Sequence, residues 1–139
     1  MDGCAGGWLL ASMDQPVELF CSFGELLKAY PTKPLLVDIP IGLPDKSPRD
    51  LESQARRLLP GRPGSLFPVP CRQAVYASSY EDACKTNSLH QGKKLSKQTW
   101  NICSKIREVD QLLCTDASLQ ERVYESHPEL AFYLLSSDG

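Results

Sequence analysis

The 139-residue sequence has no uninterrupted apolar run of the roughly 18 residues that mark a membrane-spanning helix. It also lacks a basic start followed by an apolar stretch, so neither a membrane span nor a secretory signal is expected. Its six cysteines (Cys4, Cys21, Cys71, Cys84, Cys103 and Cys114) include no CxxC pair, which removes the usual zinc-ligand pattern. They read as reduced thiols of an intracellular, cytoplasmic protein, several of them buried as small apolar groups. A surplus of positive charge is missing as well: 15 Lys+Arg against 17 Asp+Glu leave a formal net charge of -2. That balance argues against a surface basic all over, the common footprint of a nucleic-acid binder. Aromatic residues are few at 8% and do not interleave with basic ones, as a stacking platform for single strands would require. No internal repeat or low-complexity segment appears.

What is present suits one folded domain over residues 1–139. Hydrophobic residues make up 42% of the chain, enough for a core and too many for a disordered chain. Residues 8–13 and 17–21, separated by Asp14-Gln15-Pro16, read as two strands of a hairpin. Ser22 and Glu25 have capping-box spacing and open a short helix through Leu26, Leu27 and Tyr30. The run Leu35-Leu36-Val37-Asp38-Ile39 suits a strand buried on both faces. Ser47-Pro48 predicts the start of a helix through Leu51, Ala55, Leu58 and Leu59, stopped by Pro60-Gly61. Residues 61–71 read as an ordered loop. Ser79 with Asp82 predicts a cap, and Ser96 opens the strongest helix, with a stripe Ile102, Ile106, Val109, Leu113. Residues 123–126 form a short strand candidate, and Pro128 sits where the first residue of a helix would.

Five arginines (Arg49, Arg56, Arg57, Arg62 and Arg72) fall in a segment holding only two acids, Asp50 and Glu52. Arginines on this glycine-containing loop, with Ser65, have the chemistry to fork around phosphate; solvated surface arginines are the alternative. Asp38 is costly to bury unpaired, which places it at a strand end facing a cleft or a cation, or else capping the loop at Ile41 or Gly42. Asp2 faces the same cleft if a strand ends there, and is otherwise a terminal acid. Glu125, His127 and Glu129 alternate, so a strand would put them on one face, fit for a divalent cation or for acid–base work. Alternatively, Glu129 serves the helix start at Pro128. Asp110 lies beside the apolar stripe and calls for an arginine partner, whereas Glu108 reads as a surface pair with Lys105.

Several segments, taken in order, resemble one family. They are Asp2-Gly3-Cys4 with Gly7-Trp8, then residues 37–44 and Ala55-Arg56-Arg57, followed by Arg62, residues 65–68, Pro70 and Arg72. Residues 95–98, 105–110 and 125–129 complete the series. The chain resembles the domain of unknown function 429 family, whose members are predicted RNase H-like nucleases. The resemblance implies an α/β fold: an RNase H-like mixed sheet with flanking helices. In that sheet, acids on the first and fourth strands meet side by side. Mapped here, these are Asp2 and Asp38, with Glu125 on the fifth strand and Glu129 just beyond. The implied cofactor is Mg²⁺ or Mn²⁺, held by Asp2, Asp38, Glu125 and Glu129, with Asp2, Asp38 and Glu125 catalytic. Arg56, Arg62, Ser65 and Arg72 are the expected substrate-binding residues.

Relative to the family, the chain is expected to be short at both ends, with a first strand reduced to a stub and a C-terminal part missing. Three functions follow. The first is a metal-dependent nuclease or phosphodiester hydrolase acting on nucleic acid, possible even if shortening has cost it activity. The second is a phosphate-ligand-binding module or small-molecule hydrolase on the same fold, taking a phosphorylated small molecule. The third is a non-catalytic interaction protein. Composition gives no oligomeric state.

Overall fold

The computed structural model describes residues 2–59 and 66–137, which form a mixed α/β architecture. Three short strands, β1 (Asp2–Cys4), β2 (Gly7–Leu10) and β3 (Glu18–Phe20), make an antiparallel sheet in the order β1-β2-β3. Helix α1 (Phe23–Ala29) follows, then β4 (Leu35–Val37), which pairs in parallel with β5 (Val123–Glu125). Between β4 and β5 lie α2 (Asp50–Leu58), α3 (Arg72–Val75), α4 (Tyr80–Gln91) and α5 (Lys97–Thr115), then a 3-10 turn at Ala117–Glu121; α6 (Pro128–Ser137) comes last.

The sheet is therefore not the single mixed sheet that was expected. Among the described residues β1 and β4 share no ladder, so the antiparallel and parallel parts stand as two sheets. The strands that would have to meet are short: β1 and β4 have three residues each, and β1 is paired to β2 alone, as Asp2↔Leu9, Gly3↔Trp8 and Cys4↔Gly7. The hairpin needs glycine at position 7, where φ is +138° and a Cβ would sit 1.9 Å from the Phe20 carbonyl oxygen.

Local chemistry sets most helix starts. Ser22, Ser79 and Ser96 each accept a hydrogen bond from the backbone N–H three residues on, at 3.1, 3.1 and 3.0 Å. In the first of these, the Glu25 carboxylate reaches back to the Cys21 N–H at 3.1 Å. Helix α4 runs past Cys84 to Gln91 and stops at Gly92, whose φ of +70° is a left-handed cap. Helix α2 departs from expectation. It opens at Asp50, with Arg49 rather than Ser47 at the cap position and no side-chain capping bond; the Arg49 side chain instead reaches Glu52 and Glu125.

The core gathers where α5 lies against the antiparallel sheet, α1 and α3. Trp8, Phe23, Ile106, Val109 and Cys103 are essentially inaccessible, and the predicted α5 stripe supplies three buried residues. Trp8 packs against Phe23 with ring centroids 4.9 Å apart. Burying an aromatic or large aliphatic side chain contributes about 1.5–3 kcal/mol, so this cluster dominates the stability. A smaller cluster of Ala55, Leu59 and Leu66 joins α2 to Leu130 of α6. The β4 run is buried on one face only: Leu35 and Val37 point inward, while Leu36 is 59% exposed beside Tyr124. All six cysteines are free thiols, with Cys71, Cys84 and Cys103 buried. Among the described residues no helix is long and apolar enough to cross a membrane.

Candidate active site

A cleft of about 320 Å³ opens where the ends of β1, β4 and β5 face α5. Asp2 reaches it from β1, Asp38 from the residue after β4, and Glu125, His127 and Glu129 from the end of β5 and the start of α6. The opposite wall is one face of α5, carrying Gln98, Ile102 and Lys105. Gly3 makes that wall possible. A Cβ there would meet the Lys105 stem at 3.2 Å, so the lysine lies closely across β1 and would have to shift by a few tenths of an ångström above any other residue. The Lys105 ammonium stands 4.9 Å over the Trp8 ring.

The loop that carries Asp38 is gripped at Ile41. The Ile41 N–H donates to Glu125 Oε2 at 2.9 Å, and the Ile41 carbonyl accepts from Arg49 Nη1. Arg49 closes the ring, donating from Nη1 to Glu125 Oε2 and from Nη2 to Glu125 Oε1, both at 2.9 Å. It also pairs with Glu52, which is buried at the start of α2. Gly42 then turns the chain with φ of +76°. Burial opposes the Arg49 charge, but the hydrogen bonds and negative charge of Glu125 and Glu52 outweigh it and push its pKa up. Both Glu125 oxygens are thus committed to a forked pair, the strong form of charge-assisted hydrogen bond. The alternative reading of Asp38 as the cap of Ile41 is excluded, since Glu125 takes that N–H.

Among the described residues, neither Asp2 nor Asp38 spends an oxygen on a hydrogen bond or an ion pair. The Asp38 carboxyl is pushed above its ordinary value of 3.8, although the residue keeps solvent access. Desolvation is the largest cause, His127 opposes it, and the charges of Asp2 and Glu129 add to it. His127 Nδ1 lies 3.3 Å from Glu129 Oε2, a pair across the first turn of α6. Glu129 also occupies that turn as an acid at a positive helix end. Strand β5 stops at Glu125, so the single strand face expected for Glu125, His127 and Glu129 does not form; they meet at the cleft from a strand end, a loop and a helix.

The arginines expected at the phosphate are placed otherwise. Arg56 donates to the Leu66 carbonyl from Nε at 3.2 Å and Nη2 at 2.6 Å, clasping the chain beyond α2. Arg72 pairs with buried Asp110, which also accepts from the Tyr76 hydroxyl at 2.7 Å. This is the arginine partner that Asp110 was expected to need, and it lies outside the cleft. Arg62 and Ser65 lie outside the described residues.

Glu108 makes the expected i,i+3 pair with Lys105 at 4.0 Å and does more: it accepts from Trp8 Nε1 at 2.9 Å and from the Phe23 N–H. For Lys105 the sequence suggested only the pair with Glu108 and, as for Gln98, a place in the family resemblance, yet spacings of four and three through Ile102 mark one helix face. Arg49 left no such signal, because its partner Glu125 is 76 residues away.

Among the described residues no group of three or more His, Cys, Asp or Glu side chains is arranged to hold a metal ion. The two uncommitted aspartates nevertheless have the chemistry that Mg²⁺ or Mn²⁺ uses. Mg²⁺ keeps most of its waters and is commonly bound through one or two carboxylates plus substrate phosphate. A family model described as a protein of unknown function (DUF429) matches residues 1–139. No curated protein and no solved structure matches the chain.

Proposed function

The chain belongs to the DUF429 family, and from that premise we propose that it is a hydrolase of phosphate esters that works with a divalent cation, on an RNase H-like fold. One observation carries this reading. Two carboxylates, Asp2 from β1 and Asp38 just after β4, line one cleft with no hydrogen bond or ion pair among the described residues, and burial raises the Asp38 carboxyl above its ordinary value. Like charges left facing each other favour a cation between them. The antiparallel order β1-β2-β3 and the parallel pair β4-β5, whose ends both reach the cleft, support this reading of the fold.

On this reading Asp2 and Asp38 hold Mg²⁺ or Mn²⁺, which when bound supplies Lewis-acid stabilisation of a phosphoryl oxygen and activation of water. Glu125 is a positioning residue: through Ile41 it fixes the loop that presents Asp38. His127, held against Glu129, is the group placed to exchange a proton with the attacking or leaving oxygen. Lys105 and Gln98 face the substrate from α5.

A small phosphorylated substrate is favoured over a long nucleic acid, because the charges of Arg49 and Arg72 are matched by acids within the protein. The test is the melting temperature with and without millimolar Mg²⁺ or Mn²⁺, for the wild type and Asp38→Asn. A cation at ten times its Kd contributes about 1.4 kcal/mol, or roughly 5 °C for a domain of this size. Loss of that rise in Asp38→Asn supports the site. An equal rise in both proteins refutes it. Hydrolysis of a model phosphodiester, compared with an oligonucleotide, then separates the substrate classes.

A further inference from the structure

We propose that a second cavity, bounded by α2, the turn between α4 and α5, and residues 67–70, is a phosphate subsite beside the cleft. This deepens the reading above, since it assigns the substrate a second anionic group next to the one at the aspartates. The cavity measures about 280 Å³ and shares Glu52, Phe67 and Val69 with the cleft, so the two are neighbours across that wall.

Its charge is one-sided. Arg56, Lys93 and Lys94 line it, and the single carboxylate on its surface, Glu52, is already taken by Arg49. Among the described residues neither lysine is paired with an acid. The Gln91 amide nitrogen is buried there, without a hydrogen-bond partner among the described residues. A buried donor left unmet costs about 1–3 kcal/mol, and an anionic oxygen is the acceptor that fits a pocket of this charge. The cavity also reaches Ser96, the cap of the 19-residue helix α5, whose positive end adds to the potential.

The turn bearing the lysines is fixed from beneath. Gly92 takes a left-handed φ of +70°. Asn87 donates to the Lys93 carbonyl at 2.8 Å while accepting from the Cys71 N–H at 2.9 Å, and the Tyr80 hydroxyl donates to the Leu95 carbonyl at 2.9 Å. Lys93 and Lys94 are exposed side chains, but the backbone on either side of Lys94 is pinned, which fixes where the two charges are presented at the mouth of the cavity. The substrate class follows as a molecule with two phosphates a short distance apart, such as a diphosphate or a phosphodiester with a flanking phosphate.

The probe is inorganic pyrophosphate, titrated calorimetrically into the whole chain in EDTA, so that no cation bound by the aspartates contributes. Lys93→Gln/Lys94→Gln is expected to weaken binding at least about tenfold, as removal of two charge-assisted contacts should. Gln91→Leu, which changes no charge, is expected to weaken it by about threefold while the melting temperature holds or rises. Lys28→Gln/Lys33→Gln, a pair away from the cavity, serves as the control for general attraction. No saturable binding to the folded wild type overturns the proposal, as does equal loss in the control pair, or a Gln91→Leu variant that gains stability with unchanged affinity. Asp38→Asn should bind pyrophosphate in EDTA as the wild type does. A missing Asp38-dependent cation response alongside intact pyrophosphate binding would therefore sink the hydrolase reading and leave this site standing.

Discussion

At the scale of single residues, Arg49 decides more than any other side chain around the cleft. It neutralises Glu52 and Glu125 and holds the Ile41 carbonyl. Arg49→Ala would leave two carboxylates facing each other with little water. Breaking a buried pair by removing one partner costs about 3–5 kcal/mol, and the lower end applies here because Glu125 is part-exposed. Chemical denaturation should record that loss, and Arg49→Lys should restore only part of it, since an ammonium cannot fork. Asp38 behaves in the opposite sense. Its folded-state pKa is raised, so its stabilising contribution is complete below the ordinary value of 3.8 and is lost as pH climbs through the raised value. In the absence of cation, Asp38→Asn should therefore melt higher than the wild type at pH 7, with the gap closing towards pH 4. Melting curves at the two pH values, in EDTA, check the sign. Asp38 was legible as a site residue because a carboxylate at the end of an apolar run is conspicuous. Arg49 was not, because nothing in Ser-Pro-Arg-Asp points to a partner across the fold.

At the scale of elements, the readable features are those written within four residues. The three serine caps and the Gly92 stop are local signals, and the helices begin or end at them. Helix α3, four residues between prolines and a turn, carries no period to detect; its carbonyls are met from outside, with Arg107 donating to the Val75 carbonyl at 2.7 Å. The apolar run at β4 misled because two-sided burial and a single covered face look alike over three residues. Helix α1 shows how a non-local bond finishes a local one: Ser22 satisfies the Glu25 N–H, while Glu108, from α5, satisfies the Phe23 N–H. Glu108→Ala removes that acceptor and the Trp8 partner together. A loss of about 2–4 kcal/mol is expected from two orphaned donors, against about 1 kcal/mol for Ser22→Ala; urea midpoints of the two variants give the comparison. Gly7→Ala is the harshest change in the antiparallel sheet, since its methyl would collide with the Phe20 carbonyl. A fall in soluble yield or a melting point lowered by well over 10 °C is the expected outcome.

At the scale of the whole molecule, the acidic balance and the internal use of arginine act in the same direction. Arg56, Lys93 and Lys94, which line the cavity beside the cleft, pair with no acid among the described residues, whereas Lys105 in the cleft wall stands 4.0 Å from Glu108. Three phosphate contacts imply a salt slope of about -2 in log–log form for single-stranded nucleic acid, far shallower than a dedicated binder shows. Fluorescence titration of an oligonucleotide at several salt concentrations measures it, and a slope several times steeper would require a basic surface beyond these residues. The mixed α/β class was legible from the order of periodic segments. The division into two sheets was not, because it depends on which ladders three-residue strands complete rather than on any pattern along the chain.

The packing around Trp8 has an optical consequence. Its indole is fully shielded from water, hydrogen-bonded to Glu108, and capped by the ammonium of Lys105, whose stem forms part of the cleft wall. Indole emission responds to a charge held over the ring, so an anion that draws Lys105 towards itself should shift the colour and yield of Trp8. Trp100, its ring tilted against Tyr80 at 6.1 Å, can be replaced by phenylalanine to leave Trp8 as the one tryptophan. The protein then reports on the occupancy of its own cleft by intrinsic fluorescence, with no label attached.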